Sequence, residues 1–142
     1  MTIIYGALYA LSVGASHSAQ IAAAEVLKAT NDGRYNPFNE IRQYGERAKS
    51  MKRLFTENGF KIVYDRDMDM PIADGFYFTI SYPGLTGSQL LEELLYYGIS
   101  AITLDITGST RTEGLRICVS QFSPDQIPVL EERLRLFQKD HS

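Results

Sequence analysis

The sequence predicts an α+β fold, a two-layer sandwich in which a mostly antiparallel four-stranded sheet carries helices packed on one face. Three observations predict it. Segments with a three- to four-residue apolar period are interleaved with segments that alternate every second residue. The alternating segments come in two consecutive pairs, each pair lacking a helix between its members, which suits antiparallel pairing rather than helical crossovers. The 142 residues at 44% hydrophobic content supply one core and no more. Residues 1–142 are therefore read as a single domain, with an N-terminal segment and helix over 1–35 ahead of the body over 36–142.

In chain order, "SHSAQIAAAEVLKAT" from Ser16 is alanine-rich, with Ser16 or Ser18 available as cap and Asn31-Asp32-Gly33 as its stop. "NPFNEIRQYGERAKSMKRLFTENG" places Asn36 as cap and Pro37 at the first helical position. Its apolar stripe is Phe38, Ile41, Ala48, Met51, Leu54 and Phe55, and Asn58-Gly59 ends it. The period then changes to two. "FKIVY" (60–64) and "GFYFTISY" (75–82) read as strands, the second with Phe76, Phe78, Ile80 and Tyr82 on one face. Thr86 and Gln89 form a capping box for "GSQLLEELLYY", whose stripe is Leu90, Leu91, Leu94 and Leu95. "ISAITL" (99–104) and "LRICVS" (115–120) are the last two strands, separated by the polar loop "DITGSTRTEG". Ser123, Pro124 and Gln126 open the final helix, with Ile127, Leu130, Leu134 and Phe137 facing inward. Pro128 removes an amide and sets the first turn apart.

Composition excludes several function classes. A net charge of -3, with its 14 basic residues dispersed, offers no row of cations for phosphates, so nucleic acid is not an expected partner. One cysteine, Cys118, permits no internal disulfide and fits a reducing, cytoplasmic compartment. The uncharged opening "MTIIYGALYALSVGASHSAQ" has no Lys or Arg before Lys28, unlike a signal peptide. It falls short of the roughly 20 apolar residues that span a bilayer, so no membrane is expected. Export would require cutting near Val13-Gly14-Ala15.

Familiar chemical motifs fail on inspection. Asp65, Asp67 and Asp69 alternate like calcium ligands, but Met70 and Phe76 stand where that loop needs glycine and glutamate. In "GSTRTEG", Leu115 stands where a phosphate loop needs lysine. His17 at a helix start and His141 in the tail are expected to be exposed, and neither forms a nucleophile pair or metal cluster with Cys118. No catalytic, metal or cofactor-binding residue is assigned.

The informative residue is Arg116. In "LRICVS", Leu115, Ile117 and Val119 share one face, and Arg116, Cys118 and Ser120 share the other. A guanidinium cannot be buried dry and unpaired. Its partner is either an internal carboxylate or solvent, or else a ligand carboxylate gripped by the arginine fork.

The order "DGFYFTISYPG", "LLEELLYYGISAITLDITG" and "GLRICVSQFSPDQIPVLEERLRLF" resembles the C-terminal small domain of class I/II, fold-type I, pyridoxal-phosphate-dependent aminotransferases. "ASHSAQIAAAEVL" looks like the helix that follows that family's cofactor-binding half, so the likeness spans nearly the whole chain. It implies that Arg116 is the residue that binds the α-carboxylate of amino acid and keto acid substrates. It also implies a missing large domain that holds pyridoxal phosphate, a homodimer, and a chain that is inactive alone. Departures are specific. Lys28, Lys49, Lys52, Lys61 and Lys139 lack the family's Schiff-base context, and "YNPFNE" opens a helix. Asp74 stands where a small residue is common, and "TLDITGST" lacks the usual proline. The resemblance thus implies a piece of a longer enzyme, with "TIIYGALYAL" turned toward the missing half or a second subunit. The alternative is a stand-alone α+β ligand-binding or regulatory module for a small carboxylate.

Overall fold

The computed structural model describes residues 2–72 and 75–141, and the fold is α+β. The chain separates into two compact units, Met1–Asn39 and Glu40–Ser142. The first unit holds helix α1 (Thr2–Ser12), which the alternation-based reading did not assign, and α2 (His17–Asn31). Between them Val13 and Gly14 adopt positive φ. None of α2 is buried, and Leu11, Val13 and Leu27 are among the exposed apolar side chains.

Helix α3 (Phe38–Glu57) runs across the boundary between the two units, and at its start Phe38 N–H donates to the Asn36 side chain at 3.0 Å, as the expected cap requires. Its buried stripe is Ala48, Met51, Leu54 and Phe55. Phe38 and Ile41, read as part of the same stripe, are instead exposed, because the core cluster begins only at Ala48. Strand β1 is Lys61–Ile62, shorter than expected, and a small separate hairpin follows from β2 (Arg66–Asp67) and β3 (Met70–Pro71). Then come β4 (Tyr77–Ser81), α4 (Gly87–Tyr96), β5 (Ile102–Thr103), β6 (Leu115–Cys118) and α5 (Ile127–Asp140).

The sheet order is β1-β4-β6-β5, and every adjacent pair is antiparallel. Direct partners share a face, so Ile62–Ile80–Leu115 and Phe78–Ile117 point inward together. They meet Met51, Leu54 and Phe55 of α3, Leu90 and Leu94 of α4, and Leu130, Leu134 and Phe137 of α5 in one buried cluster. All three helices therefore lie on the same side of the sheet, as the alternation predicted. Gly114, with φ +110°, lets the chain enter β6 tightly: a Cβ there would lie 2.9 Å from the Ile80 carbonyl oxygen.

Local signals at helix ends hold. Both halves of the Thr86/Gln89 capping box form. Ser123 and Gln126 make a second box on a 3₁₀ turn, Pro124–Gln126, set apart from α5 at Pro128 as the missing amide requires. Three side-chain expectations are corrected. Leu95 and Phe76 are exposed, at 53% each, since each lies just past the edge of its buried face. His141 is not a frayed, exposed residue: its ring stacks on Phe137 at 4.1 Å, and Nε2 lies 3.4 Å from Glu93. Asp74 lies outside the described residues. Among the described residues no helix is long and apolar enough to cross a membrane.

The leucine correction is testable by stability. Leu94→Ala, at a fully buried site, is expected to cost about 2–5 kcal/mol, whereas Leu95→Ala stays within about 0.5 kcal/mol. Chemical denaturation of the two variants measures both, and equal losses would contradict the face assignment.

Candidate functional site

Strand β6 is paired on both edges, and its alternation sorts its four residues between core and outer surface. Arg116 stands on the outer surface, flanked by its direct partners Thr79 on β4 and Ile102 on β5. One step along, Tyr77 faces Cys118, and at the β1 side Lys61 faces Ser81. The paired positions of this surface thus carry two cations, Lys61 and Arg116, and no carboxylate. A cross-strand acid is what would neutralise an arginine structurally, and the register provides none.

Arg116 is half-buried, and its Cζ sits 4.4 Å from the Tyr77 ring centroid. An approach over the aromatic face stabilises the charge while leaving the in-plane N–H directions of the guanidinium for an anion. The ion pairs found are Arg34–Asp32, Arg53–Glu57, Arg111–Glu113 and His141–Glu93. Among the described residues none reaches Arg116. Among the described residues, then, no internal acid accounts for the mid-strand arginine.

Tyr77 was not singled out as a site residue from sequence. The signal was present only in combination: alternation places it on the polar face of its strand, but its approach to Arg116 depends on the β4–β6 register.

Cys118 shares the surface. Its Sγ lies 3.2 Å from the Ser120 hydroxyl. Burial pushes the thiol pKa up, but the Ser120 hydroxyl, the main-chain N–H groups of Gln121 and Ser120, and the charge of Arg116 outweigh it. The net result is a pKa below the ordinary thiol value. Lys61 of β1 shares this sheet surface as well. Asp65, Asp67 and Asp69 flank the β2–β3 hairpin, where Arg66 donates to the Asp69 carbonyl. Among the described residues no group of three His, Cys, Asp or Glu side chains is arranged to hold a metal ion. Lys28, Lys49, Lys61 and Lys139 are exposed, and Lys52 lies over the Phe78 ring.

The thiol reports on the arginine. Removing positive charge destabilises the thiolate, so Arg116→Ala is expected to move the Cys118 pKa upward. Ser120→Ala, which deletes the larger of the two side-chain contributions, moves it further. The pH dependence of alkylation of this single cysteine measures the shift. A midpoint unchanged in Arg116→Ala would mean that the guanidinium is not held beside Cys118.

No family model matches the chain and no curated protein matches it, so function is argued from this sheet surface and from the order of the sequence motifs.

Proposed function

We propose that the chain is the C-terminal small domain of a pyridoxal-phosphate-dependent aminotransferase, and that Arg116 grips the α-carboxylate of the amino acid or keto acid substrate. The observation that carries the reading is the state of Arg116: half-buried on the outer surface of a central strand, supported by Tyr77, and without a carboxylate partner among the described residues. A guanidinium positioned by a strand paired on both sides has little rotamer freedom left to lose. A bidentate carboxylate then fixes the substrate's orientation as well as adding affinity.

The chain's own residues do not make a site for pyridoxal phosphate. Four of the five lysines weighed are exposed on helices, on a strand or near the tail, and the fifth packs its ammonium on a core ring. The Schiff-base lysine and the groups that hold ring and phosphate belong, in this proposal, to a large domain supplied by other polypeptide. The isolated chain is accordingly inactive. The uncovered apolar side chains of α1 and α2 support the same reading, since apolar surface of this kind marks a contact area. A homodimer in the cytoplasm completes the proposal.

A second reading, a free-standing module for a small carboxylate, draws support from the self-contained core of Glu40–Ser142, which needs no second domain to close it. The genomic reading frame separates the two: a lysine-bearing cofactor domain encoded upstream supports the first, and an in-frame stop directly before Met1 supports the second.

In the full-length protein, Arg116→Ala is expected to lower kcat/KM for carboxylic substrates by roughly a hundredfold or more, with much smaller losses for the corresponding decarboxylated amines. Equal losses for both substrate types would remove the assigned role. So would a borohydride-reducible lysine adduct formed by the present chain with pyridoxal phosphate, because that would place the cofactor site here.

A further inference from the structure

The strand read from sequence over Ile99–Leu104 forms only at Ile102–Thr103, and the missing part has left a cavity. Register explains where. Leu104 N–H donates to the Gly114 carbonyl at 3.3 Å, and Ile102 pairs with Arg116, so Ser100 and Cys118 would be the next partners to exchange main-chain bonds. They do not. Among the described residues no main-chain bond joins Ser100 to Cys118, and the Cys118 N–H and C=O, which the ladder alternation turns toward the β5 edge, find no strand partner there.

Where the two segments part, a cavity of about 380 Å³ opens, with Met51, Phe55, Ile117 and Leu130 among its apolar walls. Its lining contains one charged residue, Arg133 of α5. Arg133 is exposed, and its Nη1 donates to the Gly98 carbonyl at 2.7 Å; a Cβ on Gly98 would lie 2.9 Å from the same nitrogen. Only glycine, here with φ +69°, lets Arg133 lie against the chain at this point. One donor is spent on Gly98, the remaining N–H groups are not, and Arg133 makes no ion pair among the described residues.

We propose that this cavity binds a small monocarboxylate with an apolar body. The body lies against Met51, Phe55, Ile117 and Leu130, the carboxylate meets Arg133, and the Cys118 N–H offers a further donor. A single cation and the absence of acids in the lining select one negative charge, and the volume falls within the range of small-molecule sites. The site is separate from the proposed substrate arginine, because Arg116 does not line the cavity.

The test uses the whole chain and 3-phenylpropionate, with 3-phenylpropan-1-ol as the uncharged match. Binding is followed by calorimetry. The acid is expected to bind at millimolar concentration, and the alcohol to bind at least about tenfold more weakly. Arg133→Met should weaken the acid by a similar factor. Val129→Trp, which fills the cavity from its half-exposed wall, should abolish binding, whereas Arg116→Ala should leave it intact. Three results would overturn the proposal: no binding of the acid, equal binding of acid and alcohol, or loss of binding in Arg116→Ala with retention in Arg133→Met. The last would also locate the carboxylate on the outer surface of the sheet, leaving the aminotransferase reading untouched while removing this one.

Discussion

Strand β6 is tied to β4 on one edge and to β5 on the other, and the rest of the second unit depends on that double pairing. A slip of one residue in either register would exchange Leu115 and Ile117 for Arg116 and Cys118, placing a charge among Phe55, Leu94 and Leu134. The burial of an unpaired guanidinium costs far more than any contact regained on the other side, so the hydrophobic core and the outward cation enforce the same register. The core therefore positions the candidate site: the side chains that make Leu115 and Ile117 indispensable to packing are what hold Arg116 outward.

Much of this was legible because it depends on local periodicity. The alternation of "LRICVS", the capping boxes at Thr86 and Ser123, and the split of the last helix at Pro128 each involve residues no more than a few positions apart. What the sequence could not supply is set by contacts between distant segments. Phe38 and Ile41 continue the α3 stripe perfectly well, yet both are exposed and neither belongs to the core cluster, which takes in α3 from Ala48 onward. Leu95 and Phe76 fall at the margin of a stripe, where a small rotation of the element decides burial. His141 reads as tail; its ring stacks locally on Phe137, but only the placement of α5 beside Tyr82, Tyr97 and Glu93 gives it edge-on rings and an acidic neighbour. At the site, the arginine is visible in the alternation, whereas Tyr77 becomes its neighbour only through a pairing across some forty residues of chain.

The shortness of β5 follows from the same geometry. Residues 99–101 have the composition of a strand, but Gly98 turns with positive φ and its carbonyl is taken by Arg133 of α5. The chain leaving α4 is thus held toward α5 before it can reach β6. Tertiary hydrogen bonding overrides a strand propensity that is weak in any case. Ladder pairing resumes only at Ile102, once the segment has crossed from the helical layer to the sheet.

Two arginines in this unit are consequently held in place by something other than acids, Arg116 by an aromatic face and Arg133 by a carbonyl and a glycine. Surface ion pairs such as Arg53–Glu57 and Arg111–Glu113 satisfy their cations and leave nothing for a ligand, while contributing little to stability. Support by a ring or a carbonyl has a different consequence: the side chain gains a neighbour without its charge being neutralised. An anion arriving at such a group meets a cation that is already partly oriented and whose remaining donors are still available.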